Sequence, residues 1–272
     1  LAFQRTAQTQ HYAETSNDFT FQAKTIRPEK NREVYVMVIG ETSRAANWSI
    51  YGYNRNTNPE LTKIKGLTAF SHVLTESNTT HKSVPMLMSS VTAHDFNSIY
   101  RQKGIITAFK EAGYRTAFFS NQRYNHSFID FFGKEADICD FIKEDTGNGG
   151  YNPSDDELLK LVAAELAENV SKQFIVLHTY GSHFNYRERY PADNAFFLPD
   201  FPVDAELKYK DNLINAYDNS IRYTDNFLAR LIRMLQEQDI DAAMERISLM
   251  MTVTFSCMLH PFRPIIRYTC LF

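Results

Sequence analysis

The stretch that decides the fold is Val34-Tyr35-Val36-Met37-Val38-Ile39-Gly40-Glu41-Thr42-Ser43-Arg44. Its first six residues are apolar or aromatic without alternation, which predicts a strand buried on both faces, as in a parallel sheet covered by helices. Gly40 then permits a sharp turn, and Glu41 follows it. Because ligands of open α/β sheets bind beyond the carboxyl ends of the strands, Glu41 is placed to hold a cation. The alternative is that Glu41 begins the next helix, where the helix dipole favours a carboxylate.

The composition limits the class of protein. A chain of 272 residues can form one large α/β domain, and a formal net charge of −3 gives no nucleic-acid footprint. Cys139, Cys257 and Cys270 lie far apart and predict neither a disulfide framework nor a cysteine-based zinc site. No stretch approaches the ~18–20 apolar residues of a membrane span. Residues 1–33 are polar and mixed, which predicts a linker, and the chain starts without an initiator Met or a signal peptide. We therefore expect an excised domain.

Strands and helices are predicted to alternate along the chain. After the first strand, further strands are predicted over Thr68–Leu74, Thr116–Phe119 and Phe174–Leu177. Helices are predicted from Thr79 or Thr80 onward, over Ile105–Ala112, over Asp155–Glu168 behind a Ser154 cap, and over Leu207–Gln238 with one possible break. This alternation predicts an α/β fold with a doubly wound, mostly parallel sheet flanked by helices.

Three groups of polar side chains follow predicted strands or begin predicted helices: Glu41, the pair Thr79 and Thr80, and the pair His178 and His183. A threonine at a helix N-terminus is usually a cap. A hydroxyl there can also be a nucleophile, because the helix dipole and a bound metal both favour its alkoxide. A single histidine after a strand is most often a hydrogen-bonded core group, whereas two in one strand-end turn favour a functional role.

Together these segments resemble the bacterial phosphoethanolamine transferases of the sulfatase and alkaline-phosphatase superfamily. The motifs that carry the resemblance are, in order, Gly40–Arg44, Asn47–Tyr53, Thr80-x-x-Ser83-Val84-Pro85-Met86, Leu177–His183 and Tyr217–Asp225. The resemblance runs from about residue 33 to 243. It implies an alkaline-phosphatase/sulfatase-like catalytic domain over residues 34–244, at the periplasmic face of the bacterial inner membrane. Residues 1–33 would then link it to a transmembrane domain that is absent from this chain.

The resemblance also implies a role for each candidate residue. Glu41 would be a zinc ligand, and Thr80 would be the nucleophile that faces the zinc ion. The other pocket residues would hold the substrate or protonate it: His178, His183, and Asn121 or Gln122. A sulfatase needs a Cys or Ser in a C/S-x-P-x-R motif, and Lys82 and Val84 depart from that motif here. Sulfatase activity is therefore not expected.

The implied reaction has two steps. Thr80 attacks the phosphorus of phosphatidylethanolamine, and diacylglycerol leaves. The phosphoethanolamine group then passes to lipid A or to a lipopolysaccharide core sugar, while zinc neutralises charge and histidines handle protons. The alternatives are a phosphoglycerol transferase or phosphatase of the same superfamily, or an inactive domain that binds lipid or lipopolysaccharide.

The end of the chain departs from this family, which continues with an Asp-His-Gly-Glu zinc motif and a later Leu-His. A permitted choice of codons for Met244–Phe272, read in a shifted frame, spells a His and then GENIFDDDSHVFLHASSVPSYYQIHVPF. The preceding strand and Asp are absent in both frames, which indicates a small deletion. We predict that residues 245–272 are an out-of-frame tail. The zinc site then lacks an Asp and two His, and the sheet is incomplete at the C-terminus with an uncovered edge.

Overall fold

The structure is a computed structural model that describes residues 9, 11–25, 32–71, 73–143, 153–202, 204, 206–237, 248–254 and 267–268. The strands are β1 (Glu33–Glu41), β2 (Val73–Leu74), β3 (Arg115–Ser120), β4 (Ile138–Phe141), β5 (Lys172–His178), β6 (Ser248–Thr254) and β7 (Arg267–Tyr268). The α-helices are α1 (Tyr12–Thr15), α2 (Thr80–Leu87), α3 (Ile105–Glu111), α4 (Phe128–Gly133), α5 (Asp156–Ala167) and α6 (Lys210–Glu237). None of these helices combines the length and the hydropathy that a bilayer span requires.

The main sheet has five parallel strands in the order β4-β3-β5-β1-β6. The register places Ile39 of β1 opposite His178 of β5, and His178 opposite Ser120 of β3. The carboxyl ends of the three central strands therefore meet at one edge of the sheet. The predicted parallel α/β sheet with flanking helices is confirmed, as are its strands β1, β3 and β5.

The core lies in two layers, one on each face of the sheet. Val36 and Val38 of β1 pack in the layer that contains α5 and α6. Met37 and Ile39 pack in the opposite layer with side chains of α2, α3 and α4. Because both sets of alternating residues are buried, β1 reads as an uninterrupted apolar run.

Several elements differ from the prediction. Among the described residues of the predicted strand Thr68–Leu74, Val73–Leu74 form a strand, and it lies outside the main sheet. Leu74 is 67% exposed, so this segment buries too little apolar surface to join the core. The pattern missed α4 and β4, since β4 is a short edge strand with only half-buried or exposed side chains. The long helix α6 is unbroken and begins at Lys210, after a 3₁₀ turn.

The predicted uncovered edge of the sheet does not lie at β1, because a strand that the sequence did not predict, β6, pairs with it. Strand β6 pairs in parallel with β1 over seven positions, from Tyr35 opposite Ser248 to Glu41 opposite Thr254. Residues 248–254 read Ser-Leu-Met-Met-Thr-Val-Thr, a stretch with several β-favouring residues. Apart from β6 and β7, the tail lies outside the described residues, as do residues 1–8, 10 and 26–31 of the predicted linker. The out-of-frame origin of the tail and the domain boundaries remain predictions.

Candidate functional site

Glu41 and Thr80 lie 39 positions apart in the sequence and meet at the carboxyl end of β1. Glu41 is the last residue of the strand and is buried, which rules out the alternative that it begins a helix. The Thr80 hydroxyl donates to both carboxylate oxygens, with Oγ1 2.9 Å from Oε2 and 3.1 Å from Oε1. Thr42 Oγ1 donates to the same carboxylate at 2.6 Å. Glu41 is thus a buried carboxylate that aligns the hydroxyl of Thr80.

Thr79, not Thr80, is the N-cap residue of α2. Its backbone is extended, and its side chain makes no capping hydrogen bond within the helix. Thr80 is therefore the first helical residue, where its hydroxyl faces Glu41 and sits at the positive end of the helix dipole. Of the two threonines at the predicted helix start, Thr80 is thus the one whose hydroxyl contacts Glu41.

The turn after β5 is hydrogen-bonded to the end of β1. Thr179 N donates to Ile39 O at 3.0 Å, and Ser182 N donates to Glu41 O at 2.9 Å. Gly181 has a φ of +52°, and a Cβ at this position would lie 2.8 Å from Glu41 O. Only glycine fits there, because a side chain would collide with the backbone of Glu41.

His183 follows this turn and is half-buried. Its Nδ1 lies 2.6 Å from Phe184 O, and a carbonyl oxygen can only accept a hydrogen bond. This contact assigns the proton of the neutral ring to Nδ1 and leaves the Nε2 lone pair available. The imidazole stacks on the ring of Tyr180 with centroids 5.1 Å apart. His183 can therefore accept a proton or bind a ligand through Nε2.

His178 ends β5 but is buried beneath the surface of the sheet edge. Its Nδ1 lies 3.4 Å from Ser120 Oγ, and its Nε2 has no hydrogen-bond partner within the described ranges. Burial lowers the pKa of His178 to about 4, so the ring is neutral at pH 7. Direct contact between His178 and a substrate stays a prediction.

Asn121 and Gln122 follow β3 and bond to the same turn region. Asn121 Nδ2 donates to Asp155 Oδ1 at 2.8 Å and to Pro153 O at 3.0 Å, while Gln122 Nε2 donates to Thr179 O at 3.0 Å. Asn121 Oδ1 is buried without a partner among the residues that the structure describes. Asn121 also lines a cavity of about 240 Å³. These contacts give Asn121 a structural function, and its contact with substrate stays a prediction.

The sequence did not indicate the cationic groups beside this cavity. Lys143 Nζ lies 3.3 Å from the ring centroid of Tyr180, and the guanidinium carbon of Arg189 lies 4.1 Å from it. Burial, with help from Arg189 and Arg123, lowers the pKa of Lys143 to about 8. Arg189 thus lines the cavity, where it pairs with Glu188 at 2.8 Å, and Lys143 lies on the ring of Tyr180.

Two further residues that the sequence reasoning missed support the site. Tyr217 OH donates to Thr42 O and accepts from Arg44 N, both at 2.8 Å, which ties the segment after Glu41 to α6. Asp155 is buried next to the turn after β5. In the sequence, Tyr217 was indicated by its place in the motif Tyr217–Asp225. Asp155 had no signal beyond its position at a helix start.

The two residues predicted as zinc ligands lie together at the end of β1. Glu41 offers carboxylate oxygens and Thr80 a hydroxyl, which are oxygen ligands, whereas zinc sites use three or four protein ligands. Within the described ranges, no group of three His, Cys, Asp or Glu side chains is arranged to hold a metal ion. Further ligands would have to come from residues beyond these ranges.

Comparison with known proteins gives consistent matches. The sequence model of the sulfatase family matches residues 33–248. The Kdo(2)-lipid A phosphoethanolamine 7''-transferase of Escherichia coli is 32% identical over 225 residues, which are 81% of this chain and 39% of that protein. The phosphatidylethanolamine transferase Mcr-1 of Escherichia coli is 34% identical over 212 residues, 74% of this chain and 39% of that protein. The chain therefore spans about 39% of the length of these relatives.

A solved structure matches the fold. The C-terminal periplasmic domain of Escherichia coli EptC, in complex with zinc, superposes with a TM-score of 0.74 at 21% identity. The match covers 89% of this chain and 72% of that domain. At this identity the likeness shows the shared fold.

Proposed function

The chain belongs to the sulfatase family, and from this premise we propose that it derives from the catalytic domain of a phosphoethanolamine transferase. The donor is phosphatidylethanolamine, and the acceptor is lipid A or the lipopolysaccharide core. The observation that carries the proposal is the hydrogen bond from Thr80 to the buried carboxylate of Glu41 at the end of β1. The names of the two relatives support the reaction class. The domain would face the periplasm and be joined to a membrane domain.

Thr80, Glu41 and His183 each have a role in the two steps of the proposed transfer. In the first step Thr80 Oγ1 bonds to phosphorus and the bond to the diacylglycerol oxygen breaks. The hydroxyl proton of Thr80 passes to His183 Nε2, which gives it to the diacylglycerol oxygen as diacylglycerol leaves. In the second step Nε2 takes a proton from the acceptor as its oxygen attacks phosphorus, and gives that proton to Thr80 Oγ1 as Thr80 leaves. Glu41 orients the hydroxyl in both steps, and the proton count is restored at the end.

We propose zinc as the cofactor, with Glu41 and Thr80 among its ligands. When bound, the ion neutralises charge on the transferred group and lowers the pKa of the hydroxyl. Two protein ligands are too few for tight binding. We therefore expect little zinc on the purified chain after dialysis, measured by elemental analysis, and weaker binding still in Glu41→Gln. One tightly held zinc per chain in Glu41→Gln would contradict the ligand assignment.

The missing ligands are accounted for by the proposed change of reading frame after about Met244. The family match ends at residue 248, close to that position. Sequencing the coding DNA over residues 235–272 tests the proposal. A shifted frame that encodes the GENIFDDDSHVFLH peptide supports it, and any other shifted reading contradicts it. We expect the chain in its present form to be inactive or unstable.

Activity is best tested in a restored chain, defined as residues 1–243 followed by a strand that ends in Asp-His and by the shifted-frame peptide. It is incubated with phosphatidylethanolamine and lipid A, and the products are identified by mass spectrometry. We expect transfer by the restored chain and a loss of at least ~10³-fold in Thr80→Ala, because the attacking atom is removed. Thr79→Ala is the matched control and should keep activity, since its hydroxyl does not face Glu41.

The products also separate the alternatives. Transfer of glycerol phosphate instead of phosphoethanolamine would indicate a phosphoglycerol transferase, and release of free phosphoethanolamine into water would indicate a phosphatase. Lipid binding without turnover and without zinc would indicate an inactive binding domain. Full activity in Thr80→Ala would contradict the proposed nucleophile.

A further inference from the structure

Asp155 is a buried carboxylate that accepts hydrogen bonds from Asn121 and from the turn after β5. Its Oδ1 accepts from Asn121 Nδ2 and from Tyr180 N, both at 2.8 Å, and its Oδ2 accepts from Gly181 N at 2.9 Å. Asp155 precedes α5 as its N-cap residue, but its side chain makes no capping hydrogen bond to that helix. The Asp155 side chain therefore does not cap the helix, which is the usual function of an aspartate at the N-cap position. Its carboxylate is committed to the turn after β5.

Burial of the Asp155 carboxylate costs free energy, and the groups that bond to it indicate its structural role. Burial raises the pKa of Asp155, while the three N–H donors and the nearby Arg189 lower it. Charge-assisted bonds to backbone N–H groups are among the strong hydrogen bonds of proteins. Two of the three donors are consecutive amides, of Tyr180 and Gly181, so the carboxylate fixes the orientation of the two peptide planes that flank the Tyr180 Cα.

The segment that Asp155 holds lies against the end of β1. Gly181 packs on the backbone of Glu41, and the next residue, Ser182, donates to Glu41 O at 2.9 Å. Ser220 Oγ of α6 donates to Ser182 Oγ at 2.8 Å and holds the turn from another side. His183 follows directly. The turn is thus held between Asp155 on one side and the strand that carries Glu41 on the other.

We propose that Asp155 is a positioning residue of the candidate site, which holds the turn 179–182 against β1 and thereby sets the place of His183 relative to Glu41 and Thr80. The inference rests on the proposed function for the role of those three residues. Asp155 itself touches none of them through its side chain in the described contacts. It acts through the backbone amides of Tyr180 and Gly181.

The test compares Asp155→Asn with Asp156→Asn in the full chain. Asparagine keeps the shape of the side chain but turns one acceptor into a donor, which faces an N–H group of the turn. Asp156 is the matched control, because it is adjacent in sequence and its carboxylate pairs instead with Arg230 Nη1 at 2.7 Å. Amide hydrogen exchange is followed at Tyr180, Gly181 and Ser182, and at Val38 as a core reference.

We expect exchange at the turn amides to be about 10- to 100-fold faster in Asp155→Asn, with Val38 unchanged. Asp156→Asn should leave the turn amides as they are. Unchanged turn amides in Asp155→Asn would overturn the proposal. Equal acceleration at Val38 would overturn it too, because Asp155 would then only stabilise the whole domain.

A second variant perturbs the turn where it contacts β1 instead of where it contacts Asp155. Gly181→Ala places a Cβ 2.8 Å from Glu41 O and should displace the turn while Asp155 stays intact. We expect the same local acceleration of exchange, with Val38 again unchanged. Protection equal to that of the wild type would contradict the inference that this contact positions the turn.

Turnover by the restored chain gives the functional readout. In Asp155→Asn we expect kcat to fall about 10²-fold with KM for phosphatidylethanolamine nearly unchanged, since misplacement of a reacting group acts on the chemical step. An unchanged kcat despite faster turn exchange would overturn the positioning role. If the restored wild type transfers no phosphoethanolamine, the proposed function fails, whereas the exchange experiment still decides whether Asp155 holds the turn.

Discussion

Asp218 is a buried carboxylate of α6 that, beside Tyr217, holds the segment that follows Glu41. It accepts from Asn47 Nδ2 at 2.7 Å and from Tyr53 OH at 2.8 Å, and it pairs with Arg55 Nη1 at 2.7 Å. Asp218 is fully buried, while the Arg55 side chain is 25% exposed. Asp218→Ala would leave a cation and two neutral donors without their acceptor.

The expected loss of unfolding free energy is about 3–5 kcal/mol, the usual result of removing one partner of a buried ion pair. This is a large part of the ~5–15 kcal/mol that stabilises a typical domain. Urea unfolding followed by far-UV circular dichroism measures the loss. With an m-value of roughly 3 kcal/mol per molar urea, the midpoint should fall by about 1 M or more.

Asp211→Ala is the control, because Asp211 lies exposed in the first turn of the same helix. We expect it to cost at most about 1 kcal/mol, through the helix dipole alone. A loss below about 1 kcal/mol in Asp218→Ala, or an equal loss in both variants, would refute the reasoning. The segment after Glu41 would then be held by other contacts.

Two further predictions concern buried positions. Because the pKa of His178 is about 4 in the folded chain, against an ordinary value of 6.5, the unfolded chain binds its proton first as pH falls. Stability should therefore be unaffected by this group above pH 6.5 and should fall by about 3 kcal/mol in total between pH 6.5 and 4. Urea titrations should show that His178→Gln removes this part of the slope, and an identical pH profile in the variant would contradict it. Gly133→Ala should cost about 1–3 kcal/mol, since its Cβ would lie 2.6 Å from the Phe118 ring. Thermal unfolding measures it beside Gly113→Ala, where only the φ of +86° opposes a side chain and the cost should be about 1–2 kcal/mol. No loss in Gly133→Ala would show that the Phe118 ring moves freely.

The central strands could be predicted because burial on both faces leaves a plain signal, as in β1. The site at their carboxyl ends followed from the topology rule and from the motif resemblance together. The strand β4 could not be predicted, because its half-buried side chains carry no clear pattern. Asp155 was also hidden, since its partners are backbone amides 25 and 26 residues away. A backbone donor leaves no trace in the sequence.

The strand β6 shows a different limit. The prediction for the tail rested on the strand and zinc ligands that the family has at this position, and both are missing from the sequence of the tail. A run of β-favouring residues can still pair with an open strand edge, and β6 occupies that edge of β1. The family resemblance indicated that the zinc ligands are absent from the tail. The pairing of β6 with β1 followed instead from the β-propensity of residues 248–254.

The most direct test of the account is the identity of the residue that carries phosphoethanolamine. The restored chain is incubated with phosphatidylethanolamine without any acceptor, digested, and mapped by tandem mass spectrometry. We expect an adduct on Thr80 that is absent in Thr80→Ala and present in Thr79→Ala. An adduct on Thr79, on His183 or on any other residue, or one that persists in Thr80→Ala, would contradict it.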